Sequence, residues 1–127
     1  MTVKSNVNEE QVRTVIESWA KAVRDCNMDG ILANHTSDIL MYDVVAPFQS
    51  EGIAAYRKTW ELFFKYSPGG EGSFNLTDLK ITASDTVAFA HATLKVFEEK
   101  VRLTLGLIKA NGQWLIAHEH HSGLDEQ

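Results

Sequence analysis

The chain has 127 residues, of which 44% are hydrophobic, and it carries a formal net charge of −5. This length suits one compact domain with a hydrophobic core and is too short for two ordinary ones, so residues 1–127 are expected to form a single domain. The acidic balance, with no run of Lys or Arg longer than a pair, argues against a protein that binds nucleic acid or an anionic membrane. A small molecule or another protein is therefore the expected partner.

The cysteine content and the N-terminus predict the cellular compartment. Cys26 is the only cysteine, which excludes an intrachain disulfide. The first residues contain no apolar run typical of a signal peptide, and no apolar stretch approaches membrane-spanning length. We expect a soluble cytoplasmic protein.

The first predicted element is an amphipathic helix over residues 9–26. Its apolar residues recur at spacings of three and four from Val12 to Cys26, which places them on one helical stripe. Asn8 is the expected N-cap. Cys26 closes the stripe and is expected to be a small buried residue, while Asn27 opens a short second helix.

A strand, a loop and a third helix follow. Residues 38–45, "DILMYDVV", have the β-branched and aromatic content of a strand. Residues 46–52 form the loop, and the helical period returns from Ile53. The sequence "SPGGEG" at residues 67–72 ends this helix, because proline cannot continue it and the glycines favour turns.

The remaining chain is predicted to consist of strands. The alternation of apolar residues changes phase near residues 77–78, which indicates a β-bulge. Residues 86–97 form the next strand, and residues 101–122 form a hairpin around the two-residue turn Asn111-Gly112. Helices followed by a run of antiparallel strands predict the α+β class, with a curved sheet wrapped around the helices and an open mouth at one end.

The register of the hairpin predicts which polar residues share a face. If Ala110 pairs with Gln113 and the ladder continues without interruption, one face carries Arg102, Thr104, Glu119 and His121. These residues either line a pocket, with Arg102 able to hold a carboxylate or Glu119, or form a solvated ion pair. The opposite face carries Leu103, Leu105, His118 and His120.

His118 and His120 also raise the question of a metal. They lie about 7 Å apart on one strand face, since each residue rises about 3.3 Å. A zinc site would need a third ligand from elsewhere. We expect no metal here, and interpret both as packed histidines on a sheet face that meets another subunit.

The chain resembles the SnoaL-like and ketosteroid isomerase-like proteins of the nuclear transport factor 2-like superfamily. The resemblance runs through "VIESWAKAVRDCNMDGIL", "DILMYDVVAPFQSEGIAAYRKTW" and "RLTLGLIKANGQWLIAHEHHSG", and rests on the order and spacing of these short motifs. It implies a cone-shaped, cystatin-like α+β barrel, in which a bent antiparallel sheet wraps around N-terminal helices. It also implies a homodimer formed through the outer face of the sheet, which would assign Leu103, Leu105, His118 and His120 to the dimer contact.

The resemblance also implies a catalytic residue. Ketosteroid isomerases have an aspartate base near the end of the strand before the third helix, and Asp43 in "MYDVV" stands at that place. The two residues that bind the oxyanion in those enzymes, a tyrosine and a protonated aspartic acid, correspond to Trp19 and Thr104. A weaker set of donors from Trp19, Thr104 and Arg102 could stabilise an enolate.

Aromatic residues are expected to complete the pocket. Trp19, Tyr56 and Trp60 lie on apolar helical stripes and are expected in the core, where they could also form the apolar wall beside Asp43. His35 and His91 are expected to be structural. Two functions remain open: a cofactor-independent isomerase or cyclase that uses Asp43 as a base on an apolar carbonyl or carboxylate compound, and a ligand-binding or protein-assembly module without chemistry.

Overall fold

The computed structural model describes the backbone of residues 3–124 and the side chains of residues 7–124. Within residues 3–124 the chain forms three helices and six strands. The helices are α1 (Val3–Arg24), α2 (Met28–Ala33) and α3 (Ile53–Tyr66). The strands are β1 (His35–Tyr42), β2 (Gln49–Glu51), β3 (Asn75–Ala83), β4 (Val87–Val96), β5 (Glu99–Ala110) and β6 (Gln113–Gly123).

The strands form one bent sheet that does not close on itself, in the order β2-β1-β6-β5-β4-β3. The helices fill the concave side, so the predicted α+β class and cystatin-like architecture are confirmed. The neighbours pair antiparallel as expected, except that β1 runs parallel to β6. This parallel pair and the short strand β2, which lies inside the predicted loop, were not anticipated.

The first helix starts earlier than predicted. Since α1 already includes Val3, the prediction of Asn8 as its N-cap is wrong. Asn8 is instead buried within the helix, where its amide donates to Asp85 Oδ1 at 3.1 Å and accepts from Lys109 Nζ at 3.5 Å. The polar residue that resembled a cap thus ties α1 to the end of the sheet.

The prediction that Cys26 is buried is also wrong. The helix ends at Arg24, and Cys26 follows with a positive φ of 55° and an exposed side chain. The next residue, Asn27, caps α2 as expected, and its Oδ1 accepts the Gly30 backbone N–H at 3.1 Å. The turn needed to start α2 thus removes Cys26 from the apolar stripe of α1.

Two local features of the sheet match the sequence prediction. The β3–β4 ladder shifts register between Thr77 and Lys80, and Asp78 adopts a φ of 57°, which confirms the bulge. The Asn111-Gly112 turn closes the β5–β6 hairpin with φ of 52° and 77°. These left-handed values are what this turn type requires.

The predicted hairpin register is wrong beyond the first pairs. Leu107 pairs with Ile116, but Gly106 pairs with His118, so Ala117 is an extra residue in β6. A bulge of one residue reverses the face of every side chain that follows it. β6 therefore carries its bulge at Ala117, immediately before the polar segment that contains Glu119 and His121.

The bulge decides what lies inside the cone. Leu105 now pairs with Glu119 and Leu103 with His121, and all four side chains are buried. The assignment of the two leucines to an outer dimer contact is therefore wrong, because they form part of the core. They pack in the cluster that also contains the aromatic side chains of α1 and α3.

Candidate functional site

Five polar residues meet at the concave face of the sheet. Glu119 and His121 come from β6, His35 begins β1, Asp43 follows the end of β1, and Tyr56 lies in the first turn of α3. The parallel pairing of β1 with β6 brings the two strands side by side. The site thus combines one strand pair with the helix packed against it.

His35 anchors the deep end of the group. Its Nδ1–H donates to the Ile31 carbonyl at 2.7 Å, so its Nε2 is the nitrogen that faces the site. Nε2 lies 2.6 Å from Glu119 Oε2 and 2.7 Å from the Tyr56 hydroxyl oxygen. Because two lone pairs repel at such a distance, a proton lies between Nε2 and the carboxylate.

Tyr56 is a hydrogen-bond donor in this site. Its hydroxyl donates to Glu119 Oε2, and the side chain is fully buried. Burial raises the pKa of Tyr56 well above 10.0, and the negative charge of Glu119 and the hydrogen bond to it raise it further. The nearby indoles of Trp60 and Trp19 lower the pKa of Tyr56 by less. Tyr56 therefore keeps its proton at any ordinary pH.

Glu119 is ionised although it is completely buried. Burial alone raises its pKa, and this is the largest single cause, but the hydrogen bonds and positive charges of His121 and His35 together outweigh it and lower the pKa of Glu119 to about 2. Its Oε2 accepts from His35 and Tyr56, and its Oε1 lies 3.3 Å from His121 Nε2. The carboxylate thus organises the other three side chains.

His121 lies between two carboxylates. Burial lowers the pKa of His121, but the hydrogen bond and charge of Glu119 and the charge of Asp43 raise it, and the net effect is an increase. The ring is 9% exposed. Its Nδ1 makes no hydrogen bond with any other described residue, which leaves one nitrogen free to exchange a proton.

Asp43 occupies the outer end of the site. It is half-buried, its backbone N–H donates to the Phe48 carbonyl at 2.7 Å, and its Oδ1 accepts the Val44 N–H at 2.7 Å. The following loop exposes large apolar side chains, with Val45 and Phe48 each 60% exposed. We refer to Asp43, together with the exposed side chains of Val45 and Phe48, as the mouth of the site.

The predicted aromatic residues lie in the core around this group. Trp19 and Tyr56 are fully buried and Trp60 is 4% exposed. Trp19 meets His35 edge to face, with ring centroids 6.2 Å apart, and Trp60 meets Tyr56 in the same way at 6.0 Å. Within residues 7–124, the indole N–H groups of Trp19 and Trp60 have no hydrogen-bond partner. Two buried donors next to the cluster are therefore unsatisfied.

Two predicted site residues lie elsewhere. Arg102 and Thr104 are exposed on the outer face of the sheet, opposite Ser122 and His120. The bulge in β6 separates them from Glu119, so the expectation that they share its face is wrong. Neither can contact a ligand inside the cone.

His35 is the residue of the site that sequence reasoning missed. Its partner Glu119 is 84 positions away, and only the unexpected parallel pairing of β1 with β6 brings the two together. A single histidine at the start of a strand carries no periodic signal. The one local signal is that His35 directly follows Asn34, the C-cap of α2.

The outer face of the sheet carries the other histidines. His91 and His120 are exposed and His118 is half-buried, with the rings of His118 and His120 6.3 Å apart. His118 Nδ1–H donates to the Leu40 carbonyl at 2.8 Å. Among the described residues, no group of three or more His, Cys, Asp or Glu side chains is arranged to hold a metal ion.

A surface groove of about 530 Å³ lies apart from the site, between α1 and β3. Its lining includes Arg13, Lys21, Arg24, Leu76 and Leu79. Two of its cations are already engaged, because Lys21 pairs with Asp25 at 2.7 Å and Arg24 donates to the Phe74 carbonyl at 2.8 Å. The chemistry therefore concentrates at the concave face of the sheet.

A family model described as a SnoaL-like domain matches residues 12–126. A nuclear transport factor 2-like protein of unknown function from Pseudomonas putida KT2440 is 30% identical, with 98% of this chain and 92% of that chain covered and a TM-score of 0.86. Among curated proteins, no sequence match was found. Within the part of the chain that the structure describes, no helix is both long and apolar enough to span a bilayer.

More distant solved structures share the fold. A ketosteroid isomerase-like protein from Erwinia carotovora atroseptica is 14% identical, with 95% and 99% of the two chains covered and a TM-score of 0.76. A protein provisionally described as a scytalone dehydratase, from Novosphingobium aromaticivorans, is 16% identical, with 95% and 87% covered and a TM-score of 0.79. At these identities the likeness shows the fold alone.

Proposed function

The chain belongs to the SnoaL-like domain family, and we propose that it binds an apolar carbonyl compound and catalyses a cofactor-independent proton transfer on it, as an isomerase or cyclase does. The observation that carries this proposal is the position of Asp43. It is a half-buried carboxylate beside the His121–Glu119 pair, at a mouth lined by apolar side chains.

Asp43 is the proposed general base. The hydrogen bond from the Val44 N–H holds Oδ1, while Oδ2 has no hydrogen-bond partner among the described residues. A fixed carboxylate with one free oxygen is suited to removing a proton α to a carbonyl. The exposed side chains of Val45 and Phe48 offer apolar contact to the rest of the ligand.

Buried donors are the proposed stabilisers of the enolate oxygen. The indole N–H groups of Trp19 and Trp60, which have no hydrogen-bond partner among the described residues, are preorganised, and such donors act strongly where water is excluded. The Tyr56 hydroxyl is not one of these donors, because it gives its one proton to Glu119. Arg102 and Thr104 do not belong to this set, because they lie on the outer face of the sheet. The ligand would reach the donors from the mouth at Asp43.

The test compares Asp43→Asn with Asp38→Asn, an exposed aspartate on the preceding strand β1. Native mass spectrometry of the untagged protein, followed by denaturation of the same sample, would identify any small molecule that the protein carries. That molecule would guide the choice of ketones for the assay. Exchange of their α-hydrogens in D2O is followed by NMR. We expect Asp43→Asn to keep fold and ligand binding, since its amide oxygen can still accept from Val44, and to lose about 100-fold or more of the exchange.

An unchanged exchange rate in Asp43→Asn, with Asp38→Asn also unchanged, would rule out Asp43 as the base. Tight binding of a released ligand without any exchange by the wild type would favour the ligand-binding module. Both results are readable in a folded protein, because circular dichroism of each variant reports the fold independently.

We also propose that the protein forms a homodimer through the outer face of the sheet. This face exposes Val87, Phe89 and Ile108 at 55%, 51% and 39%. Exposed apolar residues that cluster on one sheet favour association with a partner. The histidines His118 and His120 lie on this same face.

A further inference from the structure

His121 has one hydrogen-bond partner, Glu119, and its Nδ1 has none among the described residues. Its Nε2 faces Glu119 Oε1 at 3.3 Å, and the charge of Asp43 acts on the ring from the mouth. Glu119 cannot turn away, because its other oxygen is held by His35 and Tyr56. An imidazole placed in this way is kept in one orientation and supplied with negative charge, which favours the imidazolium form.

A site with a base and a separate acid is suited to more than the shift of one proton. An isomerase can move a single proton from one carbon to another with the base alone. A second, protonated group becomes necessary when a bond to a strongly basic leaving group must break, because hydroxide leaves poorly unless it receives a proton. Asp43 and His121 are the two groups that such a reaction requires.

We propose that His121 is the general acid of this site and that the substrate class is a β-hydroxy carbonyl compound, from which the protein eliminates water. This inference rests on the proposed function of Asp43 as the base. It goes beyond that function by naming a second catalytic residue, the leaving group and the product, which is an α,β-unsaturated carbonyl compound.

The step balances without any further reactant. Asp43 takes the proton from Cα, and the electron pair of the Cα–H bond becomes the double bond between Cα and Cβ. The bond between Cβ and oxygen breaks, and the leaving oxygen takes the proton of His121 and departs as water. Transfer of the new proton from Asp43 to His121 then restores both groups. The two residues directly follow Tyr42 and His120, which are paired on the neighbouring strands β1 and β6.

Glu119 is a positioning residue in this scheme, since it acts through His121. Its hydrogen bond and charge raise the pKa of His121. An acid is active only in its protonated form, so elimination by the wild type should decline as pH rises through that raised pKa. Glu119→Gln removes the negative charge and should move this decline to lower pH.

The experiment uses two matched probes, 4-hydroxy-4-phenylbutan-2-one and 4-phenylbutan-2-one, which differ by the leaving hydroxyl. Elimination from the first is followed by the near-ultraviolet absorbance of the unsaturated ketone, and α-hydrogen exchange of the second by NMR. We compare His121→Asn with His120→Asn, the adjacent histidine that faces outward. His121→Asn should lose about 100-fold of elimination, a much larger factor than its loss of exchange, and His120→Asn should lose neither.

Several results would overturn the inference. These are an unchanged elimination rate in His121→Asn, equal losses in both histidine variants, and a wild type that exchanges α-hydrogens without eliminating water. The last result would leave the proposed function of Asp43 intact, whereas absence of both reactions would refute both proposals. If His121→Asn does not fold, the pH dependence of elimination is compared between the wild type and Glu119→Gln. If the elimination rate declines at the same high pH in both proteins, His121 is not the acid.

Discussion

Replacement of Glu119 by Gln should change how the stability of the protein depends on pH. The carboxylate is completely buried and is held by His35, Tyr56 and His121. These contacts lower the pKa of Glu119 from 4.5 to about 2 in the folded protein. The glutamine side chain has nearly the same shape but cannot ionise, so the variant loses the charge and keeps most of the volume.

The magnitude follows from linkage between proton binding and folding. A folded-state pKa below the unfolded one contributes stability that is complete above pH 4.5 and is lost as pH falls towards 2. Lowering the pKa from 4.5 to about 2 corresponds to about 3 kcal/mol, since a tenfold change in an equilibrium constant is about 1.4 kcal/mol. His121 acts in the opposite direction: its raised pKa contributes stability below pH 6.5 that is lost as pH rises through the raised value.

The assay is urea denaturation of both proteins at intervals from pH 2 to pH 9. The difference in unfolding free energy between wild type and Glu119→Gln should be largest between about pH 4.5 and 6.5, and should shrink by about 3 kcal/mol towards pH 2. Glu51→Gln, an exposed glutamate on β2, is the control and should give a nearly flat difference. A flat difference for Glu119→Gln would refute the buried charge network described above.

Two further changes test the sheet. Leu105→Ala should lower the unfolding free energy by about 2–5 kcal/mol, because Leu105 is buried. Thr104→Ala should lower it by less than about 0.5 kcal/mol, because Thr104 is exposed. Urea denaturation measures both, and a larger loss in Thr104→Ala than in Leu105→Ala would contradict the observed register. Phe89→Glu should convert the proposed dimer into a monomer, as measured by size-exclusion chromatography with light scattering. The control Tyr66→Glu, on α3 and 86% exposed, should remain a dimer. If Phe89→Glu also remains a dimer, the outer face of the sheet is not the dimer interface.

The elements could be predicted because their signals are local. The spacing of apolar residues marked the helices, Asn111-Gly112 marked the hairpin, and the change of phase at Asp78 marked one bulge. Each of these depends on backbone preferences within a few residues. Asn8 shows the limit of such signals, since a residue with good cap chemistry was recruited by Asp85 in another part of the fold.

The register near the site could not be predicted, for a physical reason. Residues 117–122, "AHEHHS", are polar at nearly every position, so alternation does not favour either register. The bulge at Ala117 turns Glu119 inward to its partners His35 and Tyr56, which lie far from the hairpin in the sequence. Glu119 and His121 were expected in the pocket together with Arg102 and Thr104, and the structure separates the two pairs.

The energetics of the buried network favour a function for it. Removing a carboxylate and two imidazoles from water costs several kcal/mol per ion, and apolar residues of similar volume often stabilise a core equally well or better. The surrounding core already contains Trp19, Trp60 and Leu105, so an apolar solution at Glu119 was accessible to this fold. The charges are nevertheless arranged in a chain that ends at His121, next to the half-buried Asp43. A network kept for stability alone has no reason to extend to the mouth, whereas a network that holds a proton donor beside a base must do so.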